Sequence, residues 1–210
     1  TQNELRDNNK RKLTNGLNKI YKATYENGKW MDQGVLDIFA LDSIRVAHPA
    51  LSPDEKTLYF ASDAKGSYGQ SDLYKIDLYP DGSIGNPVNL GSTINTEARE
   101  SYPFVTKDNI LLFASDGRLG MGGYDIYAVD LNTPNALPVH LGSPINSPFD
   151  DFDMNWNRQT NQGVLSSNRP GGKGDDDLYG FQNIGTPFVF EYLTNIKGRV
   201  LDLTSSNPIE

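Results

Sequence analysis

One six-residue pattern constrains this chain more than any other feature. Gly69-Gln70-Ser71-Asp72-Leu73-Tyr74 returns as Gly122-Gly123-Tyr124-Asp125-Ile126-Tyr127 and again as Gly174-Asp175-Asp176-Asp177-Leu178-Tyr179. The aspartates are 53 and 52 residues apart, and one more step back from Leu73-Tyr74 reaches Ile20-Tyr21, a fainter fourth copy. A fixed period of this length marks a repeat architecture, in which each unit buries its apolar face only against its neighbours.

Within each period the residues read as short strands separated by turn chemistry. In the clearest copy His48–Leu51 is a first strand, and Ser52-Pro53-Asp54-Glu55-Lys56 is a turn with Pro presetting φ. Thr57–Ser62 is a second, aromatic-rich strand, Asp72–Leu78 a third and Pro87–Leu90 a fourth. The next copy repeats this with Tyr102–Val105, Ile110–Ser115, Asp125–Asp130 and Pro138–Leu141. A third runs through Phe152–Trp156, Gly163–Ser167 and Asp177–Phe181. The link Gly91-Ser92-Thr93-Ile94-Asn95 recurs as Gly142-Ser143-Pro144-Ile145-Asn146. Four short antiparallel strands per period is the pattern of a propeller blade. The expected fold is therefore all-β, a β-propeller of four-stranded antiparallel blades, with only part of the blade set in this chain.

The expected boundaries follow from the phase. Residues 1–17 are a polar segment or linker, and 18–192 are propeller. The latter divides into a partial blade over 18–45, with a hairpin at Asn27-Gly28, and blades at about 46–98, 99–150 and 151–192. Phe188–Tyr192 reads as one more strand, and residues 193–210 open a following domain. Propellers generally need four to eight blades, so the expectation is a piece of a larger protein.

Composition removes several function classes. A net charge of −8 argues against a nucleic-acid surface, whose affinity comes from basic side chains. Zero cysteines exclude disulfides, thiol catalysis and Cys-ligated zinc. No apolar run approaches the length of a membrane-spanning helix, and no signal-peptide pattern opens the chain.

The repeated aspartates Asp72, Asp125 and Asp177, each followed by an apolar residue and then Tyr74, Tyr127 or Tyr179, read as structural latches. A carboxylate there accepts backbone N–H bonds from the glycine loop before it. Asp151, Asp153 and Asn155 begin like a calcium loop, but Trp156 stands where Gly is needed and Gln162 where Glu is needed. They are the weak metal candidates, three residues on one face if the strand is regular. Gly117–Gly123 and Gly171–Gly174 have phosphate-loop glycines without the helix such loops require. His48 and His140 fall at different places in their repeats, and neither G-x-S-x-G nor H-E-x-x-H occurs. No catalytic residue, cofactor or resident metal is expected. The loop residues Lys65, Tyr68, Arg118, Met121, Arg169 and Lys173 are the candidate partner contacts, and Trp30 and Trp156 the stacking platforms of a rival glycan-binding reading.

The run Pro49–Asp63 resembles the TolB-type propeller repeat, in which a Ser-Pro-Asp-Gly turn joins the inner two strands; here Glu55 takes the place of the Gly. Ser167-Asn168-Arg169-Pro170-Gly171-Gly172-Lys173-Gly174-Asp175-Asp176-Asp177-Leu178-Tyr179 resembles a narrower group, the propellers of Bacteroidetes OmpA-family envelope proteins, which include a type IX secretion component. Residues 196–209 resemble the opening of the carboxypeptidase-regulatory-like β-sandwich that follows the propeller in that group. The resemblance implies a non-enzymatic scaffold in the periplasm, associated with the outer membrane and docking envelope or secretion-machinery proteins. Peptidoglycan would be reached only through a domain absent from this chain. The rivals are a propeller binding glycan or peptidoglycan fragments and an accessory propeller of a hydrolase.

Overall fold

The computed structural model describes residues 17–40 and 43–184. The expected strand at 188–192 and the sandwich opening at 193–210 lie outside the described residues, as do residues 1–16. Among the described residues there are thirteen strands and no helix, hence no helix long and apolar enough to cross a membrane.

The strands form four antiparallel sheets in chain order. β1 (Tyr21–Glu26) and β2 (Lys29–Val35) make a hairpin closed by Asn27 and Gly28, both at positive φ as a tight primed turn requires. β3 (Val46–Leu51), β4 (Thr57–Ser62), β5 (Asp72–Asp77) and β6 (Val88–Asn89) form the first four-stranded sheet. β7 (Glu100–Val105), β8 (Ile110–Ser115), β9 (Asp125–Asp130) and β10 (Val139–His140) form the second. β11 (Asp151–Asn157), β12 (Gln162–Ser167) and β13 (Asp177–Gln182) form a three-stranded one. Each sheet is a meander; β7 packs against β3 and β4 of the sheet before it, and β11 against β7 and β8. This is the all-β arc of a β-propeller, with β3, β7 and β11 as the inner strands.

Period-two alternation explains why consecutive sheets stack. In β4, Leu58 and Phe60 face back toward Ile20, Ile38 and Ile44, while Tyr59 and Ala61 face forward onto Leu111 and Phe113 of β8. In β8, Ile110 and Leu112 face forward in turn, onto Met154, Trp156 and Leu165 of the last sheet. Strands covered on both faces carry near-continuous apolar runs, as TLYFAS and ILLFAS do.

The recurring links are fixed by buried asparagines. Asn95 Oδ1 accepts the Leu73 N–H at 2.8 Å while its Nδ2 donates to the Leu73 carbonyl at 3.0 Å. Asn146 does the same to Ile126, at 2.7 and 2.9 Å. A side-chain amide thus pairs the N–H of the third strand that burial would otherwise leave unpaired and gives its carbonyl a second donor beside the backbone N–H of Leu90 or Leu141.

Candidate functional site

The aspartate of each hexapeptide closes its own loop. Asp72 accepts from the N–H groups of Tyr68 and Gly69 at 2.8 and 3.0 Å, and Asp125 from those of Met121 and Gly122 at 2.7 and 2.9 Å. Asp177 takes Lys173 and Gly174 at 2.7 and 2.9 Å. The tyrosine two residues on secures the start of the same loop. Tyr74 Oη shares a 2.9 Å hydrogen bond with Ser67 Oγ, Tyr127 donates to the Leu119 carbonyl at 2.8 Å, and Tyr179 to the Arg169 carbonyl at 2.9 Å. Burial pushes the Tyr127 phenol up to about 12. Gly69 and Gly122 are needed for close approach, since a β-carbon there would meet the carbonyl oxygens of Ala98 and Phe149 in the next link.

His140 belongs to this framework. In the preceding sheet Asn89 donates from Nδ2 to Asp72 at 2.6 Å and accepts the Gly91 N–H at 2.8 Å. His140 copies the second act, its Nδ1 accepting the Gly142 N–H at 3.2 Å, and takes the same place beside the aspartate, with Nε2 3.3 Å from Asp125 Oδ1 but not hydrogen-bonded to it. The imidazole stands in for an asparagine.

Of the expected partner contacts, Lys65, Tyr68, Met121 and Lys173 are exposed on the loops. Arg118 and Arg169 are engaged within the fold. Arg118 Nη2 donates to the carbonyls of Thr93 and Ile94 at 2.6 and 2.9 Å, with its guanidinium 5.8 Å from the Tyr127 ring. Arg169 donates to the carbonyls of Pro144 and Ile145, pairs with the buried Asp151, and lies over Tyr179. Both guanidinium groups clamp a loop onto the link of the same sheet's inner edge, at equivalent places in successive copies.

The weak metal candidates also come apart. Pairing in β11 slips between Phe152 and Asn155, so the regular alternation that would align Asp151, Asp153 and Asn155 is lost. Asp151 is fully buried and holds Ser147 N, Ser147 Oγ and Arg169, whereas Asp153 and Asn155 are exposed. Trp156 is packed between sheets and offers no free stacking face; Trp30 is exposed on the hairpin, with its ring 5.1 Å from Tyr25.

That slip in β11 is one of three and leads to a site the sequence motifs did not indicate. β3 slips between Ala47 and Ala50 and β7 between Ser101 and Phe104. The bulged residues His48, Tyr102 and Asp153 have φ of 53°, 54° and 51°. Left-handed backbone costs a residue bearing a bulky side chain about 1–3 kcal/mol, and such strain concentrates at sites that use it. Here the bulges bring side chains of three inner strands together. The His48 and Tyr102 rings stack at 3.9 Å and 18°, and Tyr102 and Phe152 follow at 4.9 Å. Tyr124 meets Tyr102 edge-on at 6.2 Å. Arg99, held by Asp116 through Nη2 at 2.6 Å, lies 5.2 Å over the Tyr124 ring.

The result is a half-buried ladder of rings along the inner edges, with exposed Asp153 at its side. Burial lowers the His48 imidazole to about 4, so it is neutral near pH 7, and its Nδ1 has no hydrogen-bond partner among the described residues. Burial also raises the Tyr102 and Tyr124 phenols. A general base needs a second group to orient it, and His48 has ring contacts in that place. The signal in the sequence was the pair His48-Pro49 and Tyr102-Pro103, a bulky residue before proline at the same place in two strands.

No protein-family model matches this sequence, and no curated protein does. Among solved structures, TolB from Acinetobacter baumannii is similar at 19% identity and a TM-score of 0.34, over 70% of this chain and 37% of that one. The chain therefore spans well under half the length of that relative. Its assignment as a propeller stands on the sheet order and the stacking between sheets.

Proposed function

We propose that this chain is a non-enzymatic protein-interaction propeller of the bacterial cell envelope, working in the periplasm as a module of an OmpA-family protein. Its role is to dock outer-membrane or type IX secretion components, with peptidoglycan held by another domain. The single observation that supports docking is the ring ladder of His48, Tyr102, Tyr124 and Phe152, assembled from three inner strands and the loop before β9, beside three bulged residues at positive φ. Aromatic rings with a guanidinium beside them give large contact area at low entropy cost. The exposed loop residues Lys65, Tyr68, Met121 and Lys173 are the further candidate contacts. The envelope setting is supported by the resemblance of residues 49–63 and 167–179.

Photo-crosslinking in living cells tests this. A photoreactive amino acid at Asp153 or Tyr68 is expected to capture a defined envelope protein, while one at Asn135, on the exposed turn after β9, captures none. Equal capture from all three positions, or none from the first two, would overturn the reading.

A further inference from the structure

Two carboxylates at the ring ladder have no cation of their own. Burial raises the Tyr102 phenol, and the charges of Tyr124, Asp153 and Asp176 raise it further, which places both carboxylates near that ring. Neither Asp153 nor Asp176 has a hydrogen bond or ion pair among the described residues. Resting on the docking reading above, we propose that the ladder receives an arginine side chain carried on an exposed segment of the partner protein.

The local balance of charge calls for a cation. Arg99, the guanidinium at the ladder, is already taken. Asp116 holds it at 2.6 Å, and Asp150, which accepts the Tyr124 N–H at 2.8 Å, lies near the same group. His48 is neutral near pH 7 and adds no positive charge. Asp153 is exposed, yet the protein around it strips enough water away to raise its carboxyl above the ordinary value. A cation arriving there favours the charged form and reverses that penalty.

The rings decide which kind of cation. A metal ion needs several donors converging on one point, and among the described residues no three His, Asp or Glu side chains are so placed. Half-buried rings instead suit a long side chain, whose apolar stem packs on them while its head meets a carboxylate. Arginine does this better than lysine, because its planar guanidinium stacks on aromatic faces and meets carboxylates through two bonds. The chain itself uses the pairing: Tyr124, Tyr127, Trp156 and Tyr179 each have a guanidinium 5.2–5.8 Å from the ring, whereas Tyr102 and Phe152 have none among the described residues.

The test sets a capped Ala-Ala-Arg-Ala-Ala peptide against its citrulline counterpart, which keeps the shape and loses the charge. Both are titrated into the isotope-labelled chain, following the amide resonances of Tyr102, Phe152 and Asp153. The arginine peptide is expected to shift them to saturation, and the citrulline peptide to bind about fivefold more weakly or worse, the scale of one partly exposed charge contact. Asp153→Asn combined with Asp176→Asn should weaken the arginine peptide by a similar factor; asparagine tolerates the left-handed backbone at residue 153. Asp54→Asn combined with Asp81→Asn, an equal change of charge on exposed turns, should leave binding unchanged. No binding of the arginine peptide, equal binding of the two peptides, or equal loss in the two double variants would overturn the proposal. Photo-crosslinking from Tyr68 separates it from the docking reading. Capture lost in the Asp153→Asn, Asp176→Asn protein supports the arginine. Capture that persists there sinks the arginine and leaves docking standing, and no capture in the unaltered protein sinks both.

Discussion

The second and third full repeats place the same side chains in different surroundings. Leu112 of β8 and Ile126 of β9 face forward and are sealed by the following sheet, at 0% and 1% exposure. Their counterparts Val164 of β12 and Leu178 of β13 face forward too, but are 43% and 76% exposed among the described residues. The local strand is alike in both, with the same pairing of the aspartate to the last serine of the second strand. Burial is therefore a property of the stack and not of the unit, as expected where stability is a sum of unit and nearest-neighbour terms. The sharpest way to break this comparison is truncation on either side. Leu112→Ala should cost about 4 kcal/mol through lost burial and a cavity, whereas Val164→Ala should stay within about 0.5 kcal/mol. Urea unfolding of both would expose an error if the two shifts were similar.

The latches divide along the same line. Asp125 is 1% exposed and its two backbone donors are partly buried, while the Asp177 bonds are exposed to water. Removing an acceptor is expensive only where water cannot replace it. Asp125→Ala should therefore cost about 3 kcal/mol and Asp177→Ala about 1 kcal/mol or less. Equal losses would mean that the loop closes by sequence alone, independent of the neighbouring sheet.

A third contrast lies within the ladder, where the bulge carries His48 in the first full sheet and Asp153 in the last. Burial lowers the folded-state imidazole of His48 from 6.5 to about 4. The unfolded chain takes up a proton near pH 6.5 that the folded chain resists until about 4. Stability from this group is thus complete above pH 6.5 and falls as pH drops through that window. The full loss is at most about 3 kcal/mol, and partial exposure reduces it to roughly 2. His48→Phe should flatten the profile between those two pH values; parallel profiles for the two proteins would remove the histidine from the account.

Much of the framework was legible because its chemistry is local. The Asp-to-loop hydrogen bonds span three or four residues, so the hexapeptide and the few loop residues before it carry the whole device, and strands such as Ile110–Ser115 follow from composition alone. What escaped depends on distant partners. Arg118 and Arg169 read as free loop cations because the carbonyls they hold lie 24 and 25 residues earlier in the chain. Asp151, Asp153 and Asn155 read as one face because a bulge, invisible to period-two counting, moved the register. The ring ladder escaped for both reasons together: bulges aim its members, and three strands and a loop supply them.

The turn between the first two strands of each repeat gives the smallest and most direct test of whether the copies are interchangeable. Its left-handed position is occupied by Glu55, Asn109 and Asn161, at φ of 58°, 60° and 55°. Asparagine tolerates that conformation because its short amide can bond locally, while a longer side chain meets the steric penalty in full. Glu55 is exposed, and its carboxylate accepts none of the hydrogen bonds in the turn; those go to Ser52 and Asp54. Replacing it therefore removes strain without removing a contact. Glu55→Asn should raise stability by about 0.5–1 kcal/mol, measured as an upward shift of the urea midpoint at unchanged slope. A downward shift would mean that the first turn is not the same structure as the other two, and that the repeat is less regular at this corner than its dihedral angles make it.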